Sequence, residues 1–171
     1  MGRKTQLMRT RISKLAAAAL VVLAGASMVS SLAHADATPL FKKLVGSWQG
    51  AGDLVLEDGT REQLSCRGYY GLKSEGNGLS IVSLCSSPTR KFELRSLVTE
   101  TATGVAGQWE ERTFHATGDV SGSASGTTMN LNFSGTIEGT ISIALTGQTH
   151  SVNVSAAGAG IKGISISLTR G

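Results

Sequence analysis

Proline and cysteine occur only twice each in 171 residues, and aromatic side chains only eight times, as four Phe, two Trp and two Tyr. So few cysteines exclude a disulfide-dense miniprotein, and so few aromatics argue against the interfacial girdles of an outer-membrane barrel. Glycine reaches 22 without a three-residue repeat, which excludes a collagen-like chain. An excess of charge is missing too, although the formal net charge is +4. Five of the sixteen bases, Arg3, Lys4, Arg9, Arg11 and Lys14, fall in the first 35 residues, which hold no acid; the remainder has 11 bases against 12 acids. A near-neutral body has no electrostatic footprint for nucleic acid or anionic lipid.

The first 35 residues are built differently from the rest. A basic segment precedes Leu15–Val29, a 15-residue run without charge, and Ser30-Ser31-Leu32-Ala33-His34-Ala35 ends in the small-x-small pattern that signal peptidase reads. The run is shorter than the roughly 20 residues a bilayer-spanning helix needs. The sequence therefore predicts a signal peptide at 1–35, one domain at 36–171, and a periplasmic or secreted destination.

In such a compartment Cys66 and Cys85 are expected to form a disulfide. Strand spacing agrees. A hairpin over Leu64–Leu72 and Leu79–Cys85, turning at Glu75-Gly76, opposes residues whose numbers sum to 151, which sets Cys66 against Cys85. Closing a loop of about 20 residues contributes on the order of 3 kcal/mol through lost chain entropy.

Thr38–Leu44 reads as one or two helical turns, with Pro39 near the start, where its missing N–H costs nothing. Everything afterwards reads as strand. Leu54-Val55-Leu56 runs into an Asp58-Gly59 turn, Ser86–Thr89 turns the chain into Lys91–Glu100, and Thr101–Gly104 turns it into Val105–Phe114. In that last hairpin facing residues sum to 205, which opposes Arg95 to Glu110 and Glu93 to Arg112 on a solvated face. Phe92, Leu94, Ser96 and Val98, with Trp109, Glu111 and Thr113, then point inward. Met129–Phe133, Ile141–Leu145, Val152–Ser155 and Ile164–Thr169 alternate aliphatic with hydroxyl or amide side chains. No strand-helix-strand unit appears. The expected fold is an all-β, antiparallel, up-and-down β-barrel of eight to ten strands with a short N-terminal helix; a sandwich has similar strands, but closure removes exposed edges.

Leu44-Val45-Gly46-Ser47-Trp48-Gln49-Gly50-Ala51-Gly52, placed between the short helix and the first strand, resembles the G-x-W opening of the calycin superfamily, and also the L-x-G-x-W-x-G-x-G opening of nitrobindin-like barrels. The resemblance implies that Trp48 closes one end of a barrel and that Arg170, at the end of the last strand, packs over it. Nitrobindin-like proteins hold haem through a late His, but His150 lacks matching flanks and reads as a surface histidine. Bacterial periplasmic protease inhibitors share the secreted, one-disulfide, G-x-W plan, without a matching inhibitory segment here.

Candidate chemistry is sparse. Glu110 and Glu111 are adjacent on a strand and point to opposite faces, so they cannot share a substrate. Glu111 is assigned inward, to contact a ligand or water, or else to be returned to solvent by a bulge or the barrel rim, which is the plainer expectation. Tyr70, Trp109 and Phe92 are inward by the same alternation and line either a pocket or a core. The sequence holds no nucleophile elbow, metal-ligand cluster or phosphate loop, so neither metal nor cofactor is expected and the protein is not expected to be an enzyme. The reading is a secreted, non-catalytic binding protein for a small apolar molecule, held by Tyr70, Trp109, Phe92 and Glu111. The competing reading is an envelope protein with a filled interior whose surface engages another protein.

Overall fold

The computed structural model describes residues 38–158 and 160–171, so the expected leader at 1–35 lies outside the described residues. Helix α1 (Thr38–Leu44) is followed by ten strands: β1 (Gly46–Leu56), β2 (Arg61–Lys73), β3 (Gly78–Ser86), β4 (Lys91–Thr101), β5 (Gly104–Glu111), β6 (Ala116–Ser125), β7 (Thr128–Gly135), β8 (Glu138–Thr146), β9 (Thr149–Ala157) and β10 (Ile161–Arg170). Each pairs antiparallel with its neighbours in sequence, and β10 returns to β1, so the sheet is a closed barrel. Ten is the upper end of the expected strand count.

Alternation drives the assembly. Along β7 the burial pattern alternates strictly, with Met129, Leu131 and Phe133 inside and Asn130 and Asn132 in water. The same period organises β2, where Leu64, Cys66 and Tyr70 turn inward. Because side chains in a strand repeat every two residues, one register places the whole apolar set in a single interior. The β2–β3 hairpin has the expected register, with Cys66 opposite Cys85, and those residues form a disulfide with an S–S distance of 2.06 Å. The β4–β5 hairpin likewise sets Leu94 against Glu111 and Arg95 against Glu110.

Within that register the expected Glu93–Arg112 pair forms, while Arg95 turns to Glu93 instead of Glu110. Arg95 bonds Glu93 on its own strand at 2.8 Å, and Arg112 approaches the same carboxylate at 3.2 Å. Glu93 stands between both guanidiniums, so it collects them, while Glu110 lies 3.8 Å from Arg112. All four side chains are substantially exposed, and such pairs contribute little.

The closing seam explains the glycines after Trp48. A Cβ on Gly50 or Gly52 would run into the carbonyl oxygens of Ser167 and Ser165 on β10. Glycine at these two positions lets β1 coil closely enough to complete the ring.

The interior has two different ends. At the end nearest α1, Leu40, Phe41 and Leu44 are fully buried and cover the barrel mouth. Trp48 is 1% exposed and donates its indole N–H to the Leu44 carbonyl at 2.7 Å. The Arg170 guanidinium lies 4.4 Å from the Trp48 ring and donates to the carbonyls of Val45 at 2.6 Å and Lys43 at 2.7 Å. Its Nε also donates to the Gln148 side chain at 2.9 Å. One arginine thus fastens the helix exit to the last strand and stacks on the tryptophan below it.

Candidate functional site

Opposite that stopper the barrel is hollow. A cavity of about 390 Å³ opens between the β3–β4, β5–β6 and β7–β8 turns. Its far wall is aliphatic, from Ile141 on β8, Val152 and Val154 on β9, and Ile164 and Ile166 on β10. These are the branched residues that alternate with Ser and Asn along their strands. The facing wall, from β4 and β5, carries Phe92, Leu94, Trp109 and Glu111, and Cys85 of the disulfide borders the same space. Arg90 and Phe114 stand at the mouth.

Trp109 is fixed by its indole N–H, which donates to the Ser134 carbonyl at 3.2 Å, and by Phe133, whose ring meets it edge-on at 5.8 Å. Phe92 and Phe114 lie with ring centroids 6.0 Å apart. Phe114 is nonetheless 54% exposed.

Glu111 is only 9% exposed. The expected return to solvent does not occur, and the physical reason is local. β5 ends at Glu111, and the carboxylate takes over two main-chain donors that the ladder no longer serves. One oxygen accepts from the Glu93 N–H at 2.8 Å and the other from the Phe114 N–H at 2.7 Å. Two amide donors substitute for part of the water shell, which makes burial tolerable.

Of the four residues expected to face a ligand, the structure brings Phe92, Trp109 and Glu111 together and leaves Tyr70 elsewhere. Tyr70 does point inward, but near the closed end, where its hydroxyl meets His150 Nε2 at 3.2 Å and its ring lies 6.5 Å from Trp48. Burial pushes the Tyr70 hydroxyl well above the usual phenol range. Alternation specifies the face of a strand, whereas height along the barrel depends on how β2 staggers against β1, where Tyr70 sits beside Gly46.

His150 is the residue that sequence reasoning misplaced. Expected at the surface, it is completely buried, edge-on to Trp48 at 4.4 Å. Its Nδ1 has no hydrogen-bond partner among the described residues. Burial first, and the nearby Arg170 charge second, push the imidazole down to about 4, so it is neutral at physiological pH. The signal was present in the sequence: His150 is in phase with the inward Val152 and Val154.

Among the described residues no group of three or more His, Cys, Asp or Glu side chains could hold a metal ion, and no helix is long and apolar enough to cross a membrane. The disulfide suggests a compartment outside the cytoplasm.

No protein-family model and no curated protein sequence matches the chain. Among solved structures it is similar to the S-type phycobiliprotein lyase CPES of Guillardia theta, with a TM-score of 0.55 and 13% identity, over 78% of this chain and 91% of that one. At that identity the likeness is one of fold, a closed antiparallel barrel.

Proposed function

We propose that this protein is an exported binding barrel that carries or sequesters a small, mostly apolar molecule in the cavity opposite Trp48. The observation that carries this reading is the void itself: about 390 Å³ walled by aliphatic and aromatic side chains in a domain whose other end is tightly filled. Pockets of roughly 300 to 1,000 Å³ with a mainly apolar lining and few polar groups are the usual form of small-molecule sites. An interior serving only as scaffold for a surface contact gains nothing from the hole, since a void forfeits packing energy. Phe92, Trp109 and Glu111 are assigned to ligand contact, and Tyr70 to the closed end with Trp48 and Arg170. The basic, apolar and small-x-small segments of residues 1–35 support removal of a leader and a periplasmic or secreted location.

The reading is of binding rather than turnover; the lyase named above supports the barrel and, at 13% identity, nothing about its chemistry. Native mass spectrometry of protein purified from its own envelope tests it. A co-purifying small mass is expected, together with uptake of the neutral fluorophore N-phenyl-1-naphthylamine. A bare protein mass with no fluorescence gain would turn the assignment toward a protein partner.

A further inference from the structure

The cavity's polar equipment is narrow, and it indicates which end of a ligand would be held. Glu111 is the acid in its lining, and it is held rigidly by the Glu93 and Phe114 amides. A carboxylate has about four lone-pair positions, so one main-chain donor on each oxygen leaves acceptor capacity on both. Those remaining positions belong to a carboxyl group that borders an apolar space.

Three aromatic side chains share the cavity lining with it. Trp109 is two residues earlier on the same face of β5, Phe92 is on the paired strand β4, and Phe114 is the residue whose N–H the carboxylate holds. Aromatic rings carry negative faces that attract organic cations, and the attraction grows as the site excludes water. A buried carboxylate sharing an apolar pocket with aromatic rings is the chemistry that recognises an ammonium group on an apolar body.

Resting on the binding reading above, we propose that the cavity selects a lipophilic amine, with its ammonium head lodged between Glu111 and the rings of Trp109, Phe92 and Phe114, and its apolar body against β8–β10. The opposing cue is Arg90, which also borders the mouth and would attract a ligand carboxylate. Glu111 outweighs it on two counts. It is more deeply buried, where a charge interacts most strongly, and it has the aromatic neighbours that an anionic head would not use.

Calorimetric titration of the purified protein with decylamine, decan-1-ol and decanoate, each below its micelle concentration, tests this. The three share one body and differ in the head. Decylamine is expected to bind at least about tenfold tighter than decanol and tighter still than decanoate, as a buried charge-assisted contact provides. Glu111→Gln is expected to remove the amine's advantage over decanol, bringing the two affinities within about twofold of each other. Because Gln would also disturb the Glu93 and Phe114 amides, the wild-type series is decisive if that variant fails to fold. Equal affinity for the three heads, or tightest binding of decanoate, would overturn the amine assignment while decanol binding still upheld the pocket. Binding of none of them would remove both.

Discussion

The two ends of this barrel are made from the same alternating strands and have opposite interiors. At the α1 end, side chains meet in the middle: Phe41, Trp48, Met129 and His150 are each at most 1% exposed. At the other end Ile141, Val152, Val154 and Ile164 also point inward, yet they remain only partly buried because nothing stands between the walls. The difference is one of supply. The closed end receives a helix, an indole and a guanidinium from outside the sheet, whereas the open end receives only turns. Stability should therefore reside mainly at the stopper, and adaptability at the mouth.

The sharpest way to break this contrast is to remove the stopper. Trp48→Ala deletes a fully buried ring, its bond to Leu44 and the platform beneath Arg170, and is expected to cost about 3–5 kcal/mol. The urea unfolding midpoint measures it. A loss below about 1 kcal/mol would show that the closed end does not carry the fold.

A second perturbation acts through pH. Burial and Arg170 push the His150 imidazole from its ordinary 6.5 down to about 4, so the unfolded chain binds more protons between those values. Its neutral form thus contributes stability that is complete above about pH 6.5 and is lost as pH falls through about 4. By linkage the loss reaches at most about 3 kcal/mol. Chemical denaturation of the wild type across this window should show the decline, and His150→Gln should flatten it. Asp58, Glu62 and Glu93, whose carboxyls are held low chiefly by hydrogen bonds from Thr60, Ser87 and Arg95 respectively, should weaken the fold only at still lower pH.

The smallest expected effect on stability is at the open end. Val152→Phe adds bulk to a space that already exists, so the unfolding free energy should stay within about 1 kcal/mol of wild type. Uptake of N-phenyl-1-naphthylamine should nevertheless fall severalfold. Equal loss of stability at Val152 and Trp48 would erase the distinction between the ends.

Much of this architecture is legible in the sequence. Two hairpin registers followed from turn position and pairing arithmetic alone, and one of them located the disulfide between Cys66 and Cys85. The phase of Phe92, Trp109 and Glu111 likewise put them on one face. What strand period cannot convey is height along the barrel, which is why Tyr70 was grouped with residues at the far end. Nor does it say how a carboxylate will be satisfied: Glu111 depends on where β5 stops and which amides the turn leaves over. His150 reads as a surface histidine when only its flanks are considered, although its phase with Val152 is already inward.

The seam between β1 and β10 has a consequence for how the molecule comes into being. Gln49 and Thr169, bonded across it at 3.3 Å, are 120 positions apart along the chain. Hairpins can zip up early from neighbouring segments, but the circle cannot be completed before its tenth stave arrives, and topologies rich in such distant pairings fold slowly. Until then both outermost strands present unpaired backbone, a template for unwanted partners. Arg170, at the tip of that last stave, acts as the clasp.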